Sequence, residues 1–262
     1  MIVSHAADAP ASGVFEELAK WCGRAGVVIE KIYARRLVIG PGEDDTPRSI
    51  GQIPRQHSSV VHEEGLCYEI DFLAGYSCGL FLDQRANRRW LRTSNVKNML
   101  NIFSYTCSFS VVAAVGGART LSIDLSKAAL ERGRRNFALN GLSLEGRRFI
   151  ADDVFDVLPR LARRGEKFDA IVLDPPTFSR GRNGRLFRAE SDYGCLIEMA
   201  FACASPRAVI LLSTNCSKLD ALQLRTFGSR HVSAPVTFFV TPALPDIPAR
   251  HGAVTVWMQI NQ

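Results

Sequence analysis

The sequence of 262 residues has no Cys-x-x-Cys pair and no His-Glu-x-x-His, and its seven cysteines (22, 67, 78, 107, 195, 203 and 216) are odd in number and scattered. A disulfide framework needs paired cysteines and a structural zinc site needs closely spaced ligands, so both are disfavoured. No run approaches the roughly 18 apolar residues of a membrane span. The start, Met1-Ile2-Val3-Ser4-His5, lacks the charged head and apolar middle of a signal peptide. The expectation is a reduced, cytoplasmic protein with no metal and no membrane partner. A G-x-G-x-x-G after a strand is also missing, which argues against a nicotinamide dinucleotide.

What is present describes a folded chain. Hydrophobic residues make up 47% and charged residues 22%, enough for one large α/β domain or an ordinary one with a smaller companion. Lys plus Arg exceeds Asp plus Glu by 32 to 26, a net charge of +6. That surplus, with a pI near 9.1, favours encounters with polyanions. Arginines crowd two segments, 85, 88, 89 and 92 in one and 180, 182, 185 and 188 in the other.

Patterning divides the chain near residue 94, with an α+β domain over 1–93, read as RNA-contacting, and a second domain over 94–262. In the first, the apolar spacing of Val14, Leu18, Trp21 and Cys22 behind Ser12 predicts a helix over 13–24. Runs at 27–33 and 36–39 predict strands, and 43–58 reads as loop. The alternation of Leu66, Tyr68, Ile70 and Phe72 predicts a half-buried strand, paired as a hairpin with Val60–His62. In the second domain, strands are predicted at 96–103, 119–124, 147–151, 168–173 and 207–213. Helices alternate with them at 109–116, 126–139, 155–164 and 190–204. Such alternation specifies a parallel sheet covered on both faces. A helix at 218–228 then leads to two consecutive strands, 235–240 and 252–260, which should pair antiparallel. Seven strands ending in an antiparallel hairpin match the class I methyltransferase variation on the Rossmann-like sheet.

In open α/β sheets ligands bind beyond the carboxyl ends of the strands. Here those ends carry Asn101-Ile102-Phe103-Ser104-Tyr105-Thr106, then Asp124, then Asp152-Asp153, then Asp174-Pro175-Pro176-Thr177-Phe178. A lone strand-end Asp is usually a helix cap. Three in succession with a Pro-Pro turn point to a site. With Gly79–Arg85, Ser179 and Ser213–Ser217, this set resembles the bacterial S-adenosylmethionine-dependent ribosomal RNA methyltransferases. The nearest group contains the large-subunit cytosine-C5 enzyme and the guanine-N7 domain of its fused relative. Many of that family carry an N-terminal PUA domain, for which residues 1–58 offer no room.

The resemblance implies S-adenosyl-L-methionine as cofactor and ribosomal RNA or a pre-ribosomal particle as partner. It assigns cofactor contacts to Gln84, Arg85, Asn101, Phe103, Ser104, Tyr105, Thr106, Asp124, Leu125, Ser126, Asp153, Val154, Asp174 and Pro175. Arg85 is also a phosphate or carboxylate partner in this reading. Phe178 would stack on an extruded base, with Arg180, Arg182 and Arg185 on a mobile loop meeting phosphates. Cys216 and Asp174 are the catalytic pair for cytosine C5, since carbon 5 needs a thiolate added at carbon 6 before it can attack a methyl group. Arg85 or Lys218 would supply a positive field to that thiol. Thr177 and Ser179 look more like the guanine-N7 branch, which needs no thiol. Relatives commonly have Gly where Cys107 stands, and Cys107 fits if its φ is negative with the side chain in the core. That departure keeps a third reading, an RNA-binding protein without turnover.

Overall fold

The computed structural model describes residues 2–5, 13–29, 32–36, 48–49, 57–74, 77–242 and 253–261. Two units emerge, Met1–His62 with Tyr68–Leu80, and Glu63–Cys67 with Phe81–Gln262.

The first unit holds strand β1 (Ile2–His5), helix α1 (Val14–Arg24) and strands β2 (Tyr33–Arg36) and β3 (Arg48–Ser49). β2 pairs parallel with β1 and antiparallel with β3. α1 begins behind Gly13 at φ 101°, whereas the expected cap Ser12 lies outside the described residues. Its apolar spacing gives helix but no core: none of its residues is buried and Trp21 is 61% exposed. The strand expected over 27–33 is corrected, because Val27–Ile29 are not in a ladder and pairing starts at Tyr33. Of the run 36–39, only Arg36 is described. Tyr33 is buried and stacks on Phe72 with ring centroids 4.7 Å apart. Strands β4 (Ser58–Glu63) and β5 (Leu66–Asp71) make the expected hairpin, with Leu66, Tyr68 and Ile70 buried and the residues between them half-buried.

The second unit adds an element for which the sequence analysis predicts no helix. A 3-10 turn at Leu82–Gln84 runs into helix α2 (Arg85–Thr93), whose buried face is Asn87, Arg88 and Leu91. An arginine at the inner position hides the apolar period. Arg88 is buried because Glu63 meets it with both oxygens, at 2.6 and 2.7 Å, and the Phe81 carbonyl takes a third bond at 2.9 Å. Arg89 pairs with Glu64, and Arg92 donates to the Glu64 carbonyl. Three members of the first arginine cluster, Arg88, Arg89 and Arg92, thus hold the tip of the β4–β5 hairpin.

Alternation then proceeds as the pattern requires: β6 (Asn98–Ile102), α3 (Ser108–Val115), β7 (Arg119–Asp124), α4 (Lys127–Leu139), β8 (Arg147–Ala151), α5 (Val154–Arg163) and β9 (Phe168–Leu173). The segment expected as a mobile loop is a small antiparallel hairpin, β10 (Phe178–Arg180) and β11 (Leu186–Arg188). Then come α6 (Ala189–Phe201), β12 (Ala204–Thr214), α7 (Ala221–His231), β13 (Val236–Phe239) and β14 (Val254–Ile260). The sheet order is β13-β14-β12-β9-β6-β7-β8, with β14 antiparallel to both neighbours. From β6 the chain steps outward through β7 and β8, then returns to start β9 on the other side of β6. That reversal opens a crevice at the carboxyl ends of β6, β7 and β9. Covered on both faces, the central strands read as apolar runs: Ile171, Val172, Leu173, Ile210, Leu211 and Leu212 are all fully buried.

Candidate active site

The loop leaving β6 is wound unusually. Phe103, Tyr105 and Cys107 all have positive φ, at 57°, 48° and 63°. For residues with a Cβ this conformation costs on the order of 1–2 kcal/mol each, and it holds only where surroundings enforce it. Here the Ser104 N–H donates to the Ile123 carbonyl at 3.0 Å and the Tyr105 N–H to Asp124 Oδ2 at 2.8 Å. Asn136 donates from α4 to the Thr106 carbonyl at 3.0 Å. The condition of negative φ at Cys107 is thus not met, while its side chain does enter the core with no exposed surface. Room for it comes from Gly133, where an added Cβ would lie 2.5 Å from the Cys107 sulfur. Burial pushes this thiol up to about 12, so it is no thiolate.

Asp124 ends β7. Its carboxylate is oriented by two backbone donors, Tyr105 N–H and Ser126 N–H, both at 2.8 Å, leaving lone pairs for further partners. Burial raises its pKa, against the lowering by those two bonds. Ser126 caps α4 by accepting from the Ala129 N–H. Asp153 caps α5, with Oδ1 accepting from Phe155 N–H at 3.0 Å, and is buried. Its neighbour Asp152 instead faces Arg160, whose hydrogen bond is the main cause of a lowered pKa, with Arg182 adding to it.

Between Asp153 and the β10–β11 hairpin lies a cavity of about 10 Å³, room for one water. Its lining brings together Phe103, Leu125, Asp153 and Val154 from the expected set and adds Phe155, Gly181 and Phe187. The last three carry no sequence motif; only the fold shows them. The hairpin turn sits directly on Asp153, since a Cβ at Gly181 would fall 1.9 Å from Oδ2. Arg182 donates to the Ala151 carbonyl at 2.6 Å, and Arg185 lies over the Phe155 ring at 5.1 Å. Phe187 is buried between Phe103 and Phe155, at 5.8 and 5.7 Å. Phe178 remains half exposed under the Arg188 guanidinium, and Arg180 is exposed. All four expected substrate residues therefore share one hairpin.

Asp174 ends β9 and accepts from the Ser213 hydroxyl at 2.6 Å, which ties the ends of β9 and β12 together. Burial is the largest cause of its pKa rising to about 6, with Asp83 adding to the rise while Ser213 and Arg88 oppose it. Pro175 is buried behind it and Arg85 opens α2. Cys216 follows β12 with its N–H on the Thr214 hydroxyl at 3.1 Å. Its side chain is 3% exposed, in the apolar cluster that contains Leu219 and Leu224. Lys218 is bonded to Glu190 at 3.0 Å, which leaves little positive field for the thiol. Ten of the expected cofactor residues, Gln84, Arg85, Asn101, Ser104, Tyr105, Thr106, Asp124, Ser126, Asp174 and Pro175, do not line the cavity, and of these Gln84, Asn101 and Thr106 are at most 2% exposed. Asn101 donates instead to Ser110 at 2.9 Å. Among the described residues no cluster of metal-ligating side chains occurs and no helix is long and apolar enough to cross a membrane.

This chain is similar to known proteins at both levels. The fold matches that of SMU.776, a methyltransferase structure complexed with SAH, at TM-score 0.83 and 24% identity, covering 99% of this chain and 69% of that one. Ribosomal RNA large subunit methyltransferase I of Aeromonas salmonicida is 40% identical over 162 residues, 61% of this chain and 40% of that protein. The protein of that name from Klebsiella pneumoniae is 36% identical over 206 residues, 77% of this chain and 48% of its own length. The chain thus spans about half the length of the curated relatives it matches. Residues 49–240, which hold the whole carboxyl-edge crevice from Phe103 to Cys216, match a single family description, and the chain belongs to that family, the S-adenosylmethionine-dependent methyltransferases.

Proposed function

We propose that the protein transfers a methyl group from S-adenosylmethionine to a base of large-subunit ribosomal RNA. The observation that carries this reading is the convergence of Asp124, Asp153 and Asp174 at one sheet edge, with the basic, aromatic hairpin beside them. The residues fit the cofactor. Asp124 is held by two backbone donors with lone pairs to spare for a ribose diol, and Asp153 stands among Phe103, Leu125 and Val154, apolar neighbours for an adenine that would enter the one-water space as the hairpin turn lifts from Asp153. When bound, S-adenosylmethionine supplies an electrophilic methyl on a sulfonium. Phe178 is exposed for stacking a base, and Arg180 lies on the same strand for a phosphate. The relatives' printed names supply the ribosomal RNA.

For the acceptor, the sequence places a thiol at the reacting edge, three residues beyond the serine that bonds Asp174. This supports cytosine C5. Cys216 as thiolate adds to carbon 6, carbon 5 is methylated, a base removes the carbon-5 proton, and the thiolate leaves with the carbon 5–carbon 6 double bond restored. Asp174 meets the ring at N3. Guanine N7 is favoured by a different observation, the burial of Cys216 among leucines, because N7 attacks through its own lone pair. Mass mapping of modified nucleotides in ribosomal RNA, with and without the gene, tests the function as a whole. Cys216→Ala decides the acceptor: lost methylation with intact SAH binding, and a covalent adduct of the wild type with 5-fluorocytosine RNA, support C5. Methylation at a comparable rate by the variant transfers the reading to N7. Asp124→Ala should weaken SAH binding by about 1.5–3 kcal/mol in calorimetry, and unchanged affinity would remove Asp124 from the cofactor site.

A further inference from the structure

A chain of buried polar groups ends on Asp174. The Trp257 indole N–H donates to Asn87 Oδ1 at 2.8 Å, and Asn87 Nδ2–H donates to Gln84 Oε1 at 2.9 Å. Gln84 Nε2–H donates to Ser213 Oγ at 2.8 Å, and the Ser213 hydroxyl donates to Asp174 Oδ1 at 2.6 Å. These side chains come from β14, α2, the 3-10 turn before it and β12, and all four donors are at most 2% exposed.

Chemistry fixes the direction of every link. An indole nitrogen can only donate, so Asn87 must turn its carbonyl toward Trp257 and its amide nitrogen toward Gln84. Gln84 then accepts with its carbonyl and has only nitrogen to offer Ser213. The serine hydroxyl has one proton, and with its oxygen already accepting, that proton goes to Asp174. Thr241 also donates to Asn87 Oδ1, at 2.9 Å, but a hydroxyl could equally accept, so Trp257 alone sets the orientation. At the output end the Tyr193 hydroxyl accepts from the Ser213 N–H and donates to the Ser213 carbonyl, both at 2.8 Å, with the Leu173 carbonyl 3.1 Å away. One phenol thus clamps the backbone on both sides of the Ser213–Asp174 bond. Packing alone does not call for this. Leucine and phenylalanine would fill the same volume without four polar groups to satisfy.

We propose that Trp257, Asn87 and Gln84 are positioning residues for the methyl-transfer reaction, acting through Ser213 as a one-way hydrogen-bond relay that aims and holds the Asp174 carboxylate. The proposal rests on the reading of Asp174 as the group that meets the acceptor base. It also gives Gln84 a place that the family resemblance had put on the cofactor. Other charged or titratable groups facing Asp174 are Asp83, Arg88 and Tyr193. None of them is altered by the variants below.

Carbon-13 titration of the Asp174 carboxyl in the ligand-free full chain reads the relay without any reaction. The wild-type midpoint is expected near 6. Ser213→Ala removes a bond to the ionised form and should move the midpoint up by about half a unit or more, while Ser213→Thr, which keeps the hydroxyl, should restore it. Trp257→Phe touches nothing near Asp174, yet it frees Asn87 and Gln84 to flip so that Ser213 donates away from Asp174. A smaller upward shift is expected, with the acid limb of the methylation rate moving in parallel. Asn87→Leu makes the same test at a second link should the tryptophan variant not fold. Midpoints unchanged in both remote variants, beside a shifted Ser213→Ala, would overturn the relay and reduce those residues to packing. A wild type that methylates no ribosomal RNA would defeat the function reading instead, and the titration would still decide the relay.

Discussion

Gly133 and Cys107 compete for one volume, and the pair explains a residue that looks out of place by itself. The thiol occupies the space a Cβ at Gly133 would need. Gly133→Ala is therefore expected to destabilise by about 1–3 kcal/mol through overpacking, despite alanine's better helix propensity. In the double variant with Cys107→Gly the cost should largely vanish, because the sulfur is gone and φ at 107 becomes unstrained. Urea unfolding of the four-member cycle measures this, and additive costs would show that the contact is not what excludes alanine. At Asp174 the sign of a pH effect can be worked out. Its folded pKa, near 6, stands above the ordinary 3.8. The folded chain therefore keeps a proton that the unfolded chain releases between those values. That contribution to stability is complete below about pH 4 and is lost as the pH rises through about 6. Asp174→Asn should then gain on the wild type with rising pH, by at most about 3 kcal/mol above pH 7, when unfolding is followed at several pH values. A gain independent of pH would mean that the carboxyl titrates normally.

Elements differed in how openly the sequence announced them. The strands of the large sheet and the helices between Asn98 and Thr214 were legible because strands buried on both faces are apolar runs and the helices between them have regular apolar spacing. α2 was not, since its inner face is built on Arg88 and the partner that neutralises it lies 25 residues earlier. The β10–β11 hairpin was read as loop because three-residue strands rich in arginine carry no period. In the site, Asp124, Asp153 and Asp174 were legible as strand-end acids, whereas Phe155, Gly181, Phe187 and the Trp257–Asn87–Gln84 chain depend on contacts between distant segments. The hairpin makes a direct prediction. Gly181 has no left-handed φ, so the clash of an alanine there is with the Asp153 carboxylate, the Arg185 carbonyl lying at an ordinary 3.7 Å. Gly181→Ala should lift the turn, speeding amide exchange at Gly181, bonded to the Arg185 carbonyl at 2.8 Å, while the sheet strands keep their protection. Unchanged exchange at Gly181 would show that the turn does not rest on Asp153.

At the scale of the molecule, a net charge of +6 draws the chain toward a polyanion without choosing one. In the proposed function local choice would fall to the hairpin, since much of the first arginine cluster is spent on Glu63 and Glu64. Neutralising Arg180, Arg182 and Arg185 together should reduce the log–log salt slope of RNA binding by at most about 0.7 per lost phosphate contact on a single strand. An unchanged slope would take the hairpin out of the interface. The same short turn leans on Asp153 with one side and exposes Phe178 and Arg180 with the other. In the proposed function it would be a shared element for two ligands, and linkage would make their effects reciprocal. Whatever factor SAH applies to the affinity for an RNA oligonucleotide, the oligonucleotide must apply to the affinity for SAH, and Gly181→Ala should change both factors equally. On that proposal a tiny cavity beside a glycine would become a thermodynamic hinge, where cofactor and nucleic acid bias a single equilibrium.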